Sequence, residues 1–342
     1  MARDTDDLRE RLARAPFALG GAPLGNLFRA VEDECATALV RHAYAAGIRY
    51  FDTAPHYGHG RSERRMGDAL RGFPRATYLL STKVGRLLEA RDDAPRDQHG
   101  YVDTLPFVQR YDYTADGVRR SLDDSLQRLG LARVDIVYIH DIDRKTHGEA
   151  HSQRLVDALD GGLPALAKLK SEGAIVAYGL GVNDVAICCE VLRNADLDVI
   201  LLAGRYTLAD QSALAQLLPE CQRRGVAVVL GAPYNSGILA TGAAPANGAA
   251  PYFNYAPAPP EILRKVADIE RVCREFAVPL KAAALQFPRA HPAVASVLAG
   301  ARSVAEVDEN FRMAGATIPR EFWNALREKA LIAPEAPLSG ET

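Results

Sequence analysis

The sequence predicts a (β/α)8 barrel with its chemistry at the carboxyl end of the strands. Two observations carry this reading. Eight short apolar runs alternate with helix-like segments along the 342 residues. Three of those runs close on a titratable side chain: Ile48-Arg49-Tyr50-Phe51-Asp52, Tyr78-Leu79-Leu80-Ser81-Thr82-Lys83 and Val134-Asp135-Ile136-Val137-Tyr138-Ile139-His140. A buried strand seldom ends on a charge without a purpose, and parallel α/β sheets gather their catalytic groups at that end.

The strands are expected near residues 18–20, 48–53, 77–83, 134–140, 176–182, 199–203, 226–231 and 294–298. Strand–helix alternation with right-handed crossovers gives a parallel sheet, and eight repeats favour closure. The clearest helix follows Thr114 as N-cap. Val118, Leu122, Leu126 and Leu129 mark one face, and Gly130 supplies the stop. The whole chain, 1–342, reads as a single barrel domain with a core of about 17–332, a length routine for barrels of about 250 residues or more. The ends, 1–15 and 334–342, read as loosely held tails. Two connections exceed ordinary turns. The one from about 85 to 112 is expected to wall a substrate pocket, and the one from about 240 to 260 to form a flap over a cofactor.

Tyr57 follows the second strand, so Asp52, Tyr57, Lys83 and His140 form one candidate cluster. A tyrosine ordinarily titrates near about 10, too high for ready proton exchange at neutral pH. A neighbouring ammonium favours its phenolate, and a carboxylate anchors the lysine. A histidine can hydrogen-bond the oxygen being oxidised or reduced. Together they make an acid/base apparatus for carbonyl–alcohol interconversion. Only seven of the 41 basic residues are lysine, which sets Lys83 apart in an arginine-rich chain.

The segment Gly47-Ile48-Arg49-Tyr50-Phe51-Asp52-Thr53-Ala54-Pro55-His56-Tyr57-Gly58 resembles the signature of the aldo-keto reductases. Ser81-Thr82-Lys83-Val84 and Tyr138-Ile139-His140 resemble its next two pieces, and the likeness runs from about Phe17 to Asn310. It implies a barrel, a nicotinamide cofactor and Asp52, Tyr57, Lys83 and His140 as the catalytic tetrad. His140-Asp141-Ile142-Asp143, Thr146-His147-Gly148 and Leu202-Ala203-Gly204-Arg205-Tyr206-Thr207 resemble the branch holding D-threo-aldose (L-fucose) 1-dehydrogenases and pyridoxal 4-dehydrogenases.

The resemblance also implies cofactor contacts. Asn183 should bond the nicotinamide carboxamide, and Tyr206 should stack on its ring. Many family members carry a glutamine three residues before that tyrosine, where this chain has Ala203. Ser236, Gly237 and Leu239 match the segment that supports the pyrophosphate. Gly300, Ala301, Arg302, Glu306 and Asn310 match the adenosine-phosphate segment, a loop entering a helix N-terminus. Glu306 stands where NADP-specific members often carry arginine. A carboxylate repels a 2′-phosphate and accepts from a 2′-hydroxyl, so NAD is the expected cofactor, with Arg302 leaving NADP open. No Gly-x-Gly-x-x-Gly fingerprint opens a helix after the first strand.

In the oxidative direction a lactol hydroxyl is expected between Tyr57 and His140, with Tyr57 taking its proton. The expected substrate is an L-fucose-like aldose oxidised at C1, with His56, Asp141 and Tyr101 as polar suppliers. A pyridoxal pocket would instead draw an aromatic wall from Phe28, Phe107 and Tyr111. General aldehyde or ketone reduction, and a cofactor-binding redox-sensing regulatory subunit, are the other readings. The histidines His56, His59 and His140 lack acidic partners at ligand spacing, so no metal is expected.

Composition narrows the partners. A net charge of -2 gives no electrostatic reason to bind nucleic acid or an anionic membrane. Residues 1–14 lack the apolar core of a signal peptide, and no stretch approaches the roughly 20 apolar residues of a membrane span. Five cysteines, Cys188-Cys189 adjacent and no Cys-x-x-Cys, read as reduced thiols of a cytoplasmic protein. The small-molecule substrate is the expected partner, and the sequence does not reveal an oligomeric state.

Overall fold

The computed structural model describes residues 5–246 and 248–339. Eight parallel strands close into a barrel: β1 Phe17–Gly20, β2 Tyr50–Asp52, β3 Leu79–Val84, β4 Ile136–His140, β5 Ala177–Val182, β6 Val199–Ala203, β7 Ala227–Gly231 and β8 Val294–Gly300. Each pairs with its neighbours in sequence, and β8 closes on β1 through Phe17↔Val297 to Gly20↔Gly300. All eight runs expected from the sequence are the strands of this barrel. The helix Ala115–Leu129 is capped as its ends dictate. Thr114 accepts from Gly117 N at 3.1 Å, and Gly130 turns left-handed to close it.

Period-two alternation decides what faces the interior. Tyr50, Leu79, Ile136, Tyr138, Ala177, Val199, Leu201, Ala227, Val229 and Leu298 belong to one buried cluster that fills the barrel. Two residues beyond Tyr50 is Asp52, two beyond Ser81 is Lys83, and two beyond Tyr138 is His140. The polar residues are therefore the next inward rung of the packed barrel, at its carboxyl end. Gly181 on β5 sits beside them for a steric reason. A Cβ there would lie 3.2 Å from Lys83 Cδ and Cε and from Tyr138 Cβ.

Of the N-terminal tail expected at 1–15, residues 1–4 lie outside the described residues and the rest is not loosely held. Thr5–Ala13 is a helix whose Leu8 and Leu12 join the barrel-filling cluster, and Arg9 donates to the carbonyls of Gly225 and Val226. Burying two leucines against an otherwise open barrel end outweighs the charged composition of the segment. Ala336 and Leu338 are buried too, so the core runs past 17–332 on both sides.

The connection after β3 is also ordered. Arg86–Ala90 pairs antiparallel with Phe107–Tyr111, and the tip between them ties back to the loop after β1. Phe28 N donates to Gly100 O at 2.8 Å, and Val102 N to Asn26 O at 3.1 Å. The second long connection carries a short ladder of Tyr252–Phe253 with Ala256–Pro257. All five cysteines are free, and burial raises the thiols of Cys188, Cys221 and Cys273. No helix among the described residues is long and apolar enough to cross a membrane.

Candidate active site

The carboxyl end of the barrel holds a cavity of about 390 Å3 whose lining includes Tyr57, Lys83 and His140. Beneath it Lys83 Nζ donates to Asp52 Oδ2 at 2.7 Å and to Thr53 O at 3.0 Å. Asp52 Oδ1 accepts from Ser81 Oγ at 2.7 Å, and Ser81 meets Tyr50 Oη, which meets Tyr138 Oη at 2.9 Å. Burial pushes the Asp52 carboxyl up, and the ammonium and the Ser81 hydroxyl oppose it. Lys83 Nζ lies 4.5 Å from the centroid of the Tyr57 ring. The tyrosine loop is seated by Gly58, left-handed at φ 65, against Gly25, where a Cβ would come within 2.4 Å of Tyr57.

The lysine was expected to draw the Tyr57 phenol down. In this arrangement the phenol is held well above its ordinary value, by burial first and then by the Asp52 carboxylate. Lys83 is satisfied by Asp52, so its charge is largely spent there. His140 is pushed well below its ordinary value by burial and by the cations Arg86 and Lys83, so it is neutral. Its Nε2 lies 3.3 Å from Asp141 Oδ2, and its Nδ1 is buried without a partner among the described residues. A neutral imidazole beside a carboxylate carries its proton on the facing nitrogen, which makes Nε2 the donor.

Of the residues expected to touch substrate, Phe28, His56, Tyr101 and Asp141 all line the cavity. Phe107 and Tyr111 do not. Tyr111 packs on Tyr113 and His147 instead, with centroids 6.4 and 4.6 Å away, and Phe107 sits in the antiparallel ladder. The aromatic wall drawn from the three residues therefore keeps only Phe28. His99 and Gly100, from the hairpin tip, and Tyr255, from the flap, also line it.

A second cavity of about 370 Å3 shares Tyr57, Phe28, Ala203 and Tyr255 with the first, and runs across the barrel mouth toward Gly300 and Asn310. Joined, the two make a trough of the shape an extended dinucleotide needs. Asn183 lines one end, and Ser236, Gly237, Gly300, Arg302, Glu306 and Asn310 line the other. The residues present therefore fit a nicotinamide dinucleotide.

Three expected contacts are placed elsewhere. The Tyr206 ring, in the loop after β6, is fully buried against Phe287 and His291, with centroids 5.1 and 5.7 Å away, and this packing takes it out of the trough. Leu239 is core, and its amide and that of Gly237 already donate to Tyr234 O. Ser236 Oγ accepts from Tyr255 N at 2.9 Å, which ties the flap down. Ala301 is buried below the trough. Glu306 lines the trough but also caps its own helix. Ser303 accepts from Glu306 N, and Glu306 Oε2 accepts from Arg302 N at 2.8 Å.

Arg86, Gln109, His99 and Tyr255 were not foreseen. Arg86 and Gln109 had only a local signal, polar positions alternating in a segment read as loop.

The fold and the site define an oxidoreductase. The chain belongs to the aldo/keto reductase family, whose profile matches residues 16–331 and whose members use nicotinamide cofactors. Among its similar proteins, pyridoxal 4-dehydrogenase from Microbacterium luteolum is 44% identical over 337 residues, covering 95% of this chain and 96% of that protein. D-threo-aldose 1-dehydrogenase from Pseudomonas sp is 39% identical over 328 residues, covering 94% and 95%. An aldo-keto reductase from Bacillus halodurans, solved in its holo form, superposes with a TM-score of 0.70 at 24% identity, covering 95% and 94%.

Proposed function

We propose that this enzyme oxidises an L-fucose-like aldose at C1 to the lactone, with NAD preferred over NADP. The observation that carries the reading is the polar wall of the substrate cavity. His56, His99, Tyr101 and Asp141 stand together beside His140, while two of the three rings of the alternative aromatic wall lie outside the cavity. A polyol needs several hydrogen-bonding partners to replace its water.

The nicotinamide, when bound, supplies the hydride acceptor. Tyr57 moves the proton of the reacting hydroxyl, as base in oxidation and as acid in reduction. His140 orients that oxygen through Nε2–H. Lys83, held by Asp52 and the Thr53 carbonyl, stands 4.5 Å from the centroid of the Tyr57 ring, where it steadies the charge that the phenol takes on when it gives up its proton. Ser236 and the flap around Tyr255 cover the trough and limit water.

The NAD preference rests on Glu306, whose carboxylate lines the trough and repels a 2′-phosphate. A second reading, oxidation of pyridoxal, is favoured by the 44% identity to pyridoxal 4-dehydrogenase. Spectrophotometry with NAD or NADP against L-fucose, D-arabinose, L-galactose and pyridoxal separates the two. Turnover of sugars with NAD supports the first, and turnover of pyridoxal alone transfers the site to the second.

A further inference from the structure

One buried guanidinium wires the substrate wall. Arg86, 4% exposed, donates through Nη2 to Asp141 Oδ2 at 2.6 Å. Through Nη1 it donates to Gln109 Oε1 at 2.9 Å and to His56 Nδ1 at 3.2 Å. Arginine has no acceptor, so the Gln109 oxygen must face it and the Gln109 amide must point the other way. That amide meets His56 Nδ1 at 2.7 Å and His59 Nε2 at 2.9 Å. His59 Nδ1 in turn lies 2.6 Å from the carbonyl of Phe107, which can only accept, so His59 carries its proton there.

His56 Nδ1 thus faces only donors and must be a lone pair. Burial and the Arg86 charge hold the ring neutral, so its single proton sits on Nε2. Asp141 has the opposite character. Burial pushes its carboxyl up, but the guanidinium opposes this and holds it as an acceptor. Both groups reach the η nitrogens of the same guanidinium and both line the cavity beside His140.

We propose that Arg86 and Gln109 are positioning residues that fix the polarity of the substrate pocket. They set a donor at His56 Nε2 and an acceptor at Asp141, a pair that selects substrates with neighbouring hydroxyls next to the reacting carbon. The selection half rests on the polyol reading above; the wiring does not. A vicinal diol can accept at one oxygen while donating from the next, which a simple aldehyde cannot do.

The test joins spectroscopy to kinetics, on the full chain and on Gln109→Met. Long-range 1H–15N correlation of labelled histidines, with His56 assigned by loss of its signal in His56→Gln, reports the tautomer. The native protein is expected to show His56 protonated on Nε2, and Gln109→Met to keep that tautomer with a shifted Nδ1 resonance, since only the 3.2 Å bond from Arg86 is left on that nitrogen. In that variant kcat/KM for L-fucose is expected to fall about tenfold through KM, the scale of one buried hydrogen bond. Reduction of 4-nitrobenzaldehyde by NADH should stay within about twofold, since that substrate makes no such bond. A native His56 protonated on Nδ1 overturns the wiring, and equal losses on both substrates overturn the selection. If the native protein turns over no polyhydroxylated substrate, the aldose reading and the selection both fail, and the tautomer still decides the wiring.

Discussion

Lys83 Nζ sits 2.7 Å from Asp52 Oδ2 with both side chains sealed from solvent at 1% and 0% exposure. Neither charge can be tolerated at that depth without the other, and Ser81 and Thr53 each add one further hydrogen bond to the pair. The barrel thus carries one ion pair where an apolar layer would otherwise continue. Removing one partner strands the other. Asp52→Ala should destabilise the protein by about 3–5 kcal/mol, read by urea denaturation. It should also abolish turnover, because Lys83 loses the group that aims it. A variant as stable as the parent would show that the pair is not coupled as described.

Tyr57 is the group asked to move a proton, and its phenol is held above the ordinary range by burial and by Asp52. Tyr57→Phe should cut kcat by about 10²–10⁴ and leave the dissociation constant of the cofactor, measured by fluorescence, little changed. The pH dependence follows from the sign of the shift. A phenol with a raised pKa is protonated at neutral pH, so it serves at once as an acid and must ionise to serve as a base. Oxidation should therefore accelerate from pH about 6 to about 10, while reduction stays flat or declines as the phenol ionises. Oxidation independent of pH over that span would assign the proton to another group.

The N-terminal helix closes the barrel end remote from the site, with Leu12 fully buried. Leu12→Ala should cost about 2–5 kcal/mol of stability and leave kcat at the parent value. Thermal melting and steady-state rates on one preparation check both halves.

What could be read from the chain follows a physical divide. Strands β1 to β8 were legible because each lies in a short, mainly apolar run between helix-like segments, and Thr114 and Gly130 announce their helix through local capping chemistry. That Asp52, Lys83 and His140 would meet beside Tyr57 was legible because they break their apolar runs at equivalent ends. Leu8 and Leu12 were not, since a short charged segment shows its apolar stripe only once an open barrel end exists to receive it. Tyr206 resembles a rim residue in sequence, yet packing against Phe287 decides its place. The Arg86–Gln109–His56 bonds join residues 23 and 53 positions apart, and no local pattern encodes such a pairing.

Glu306 carries two roles that one substitution separates. Its Oε2 accepts from Arg302 N, and its charge faces the trough. Glu306→Gln keeps an acceptor and removes the charge. The melting temperature should hold, and the NADP to NAD ratio of kcat/KM should rise about fivefold, the effect of about 1 kcal/mol from one exposed charge. An unchanged ratio would leave Glu306 as a helix cap alone.

The central claim is that a hydride leaves C1 of an aldose while Tyr57 takes the proton. L-fucose deuterated at C1, incubated with NAD and the enzyme, tests it most directly by mass spectrometry of both products. The account predicts reduced nicotinamide carrying one deuterium and a lactone carrying none. Reduced nicotinamide without the label, or no product from any aldose, would contradict it.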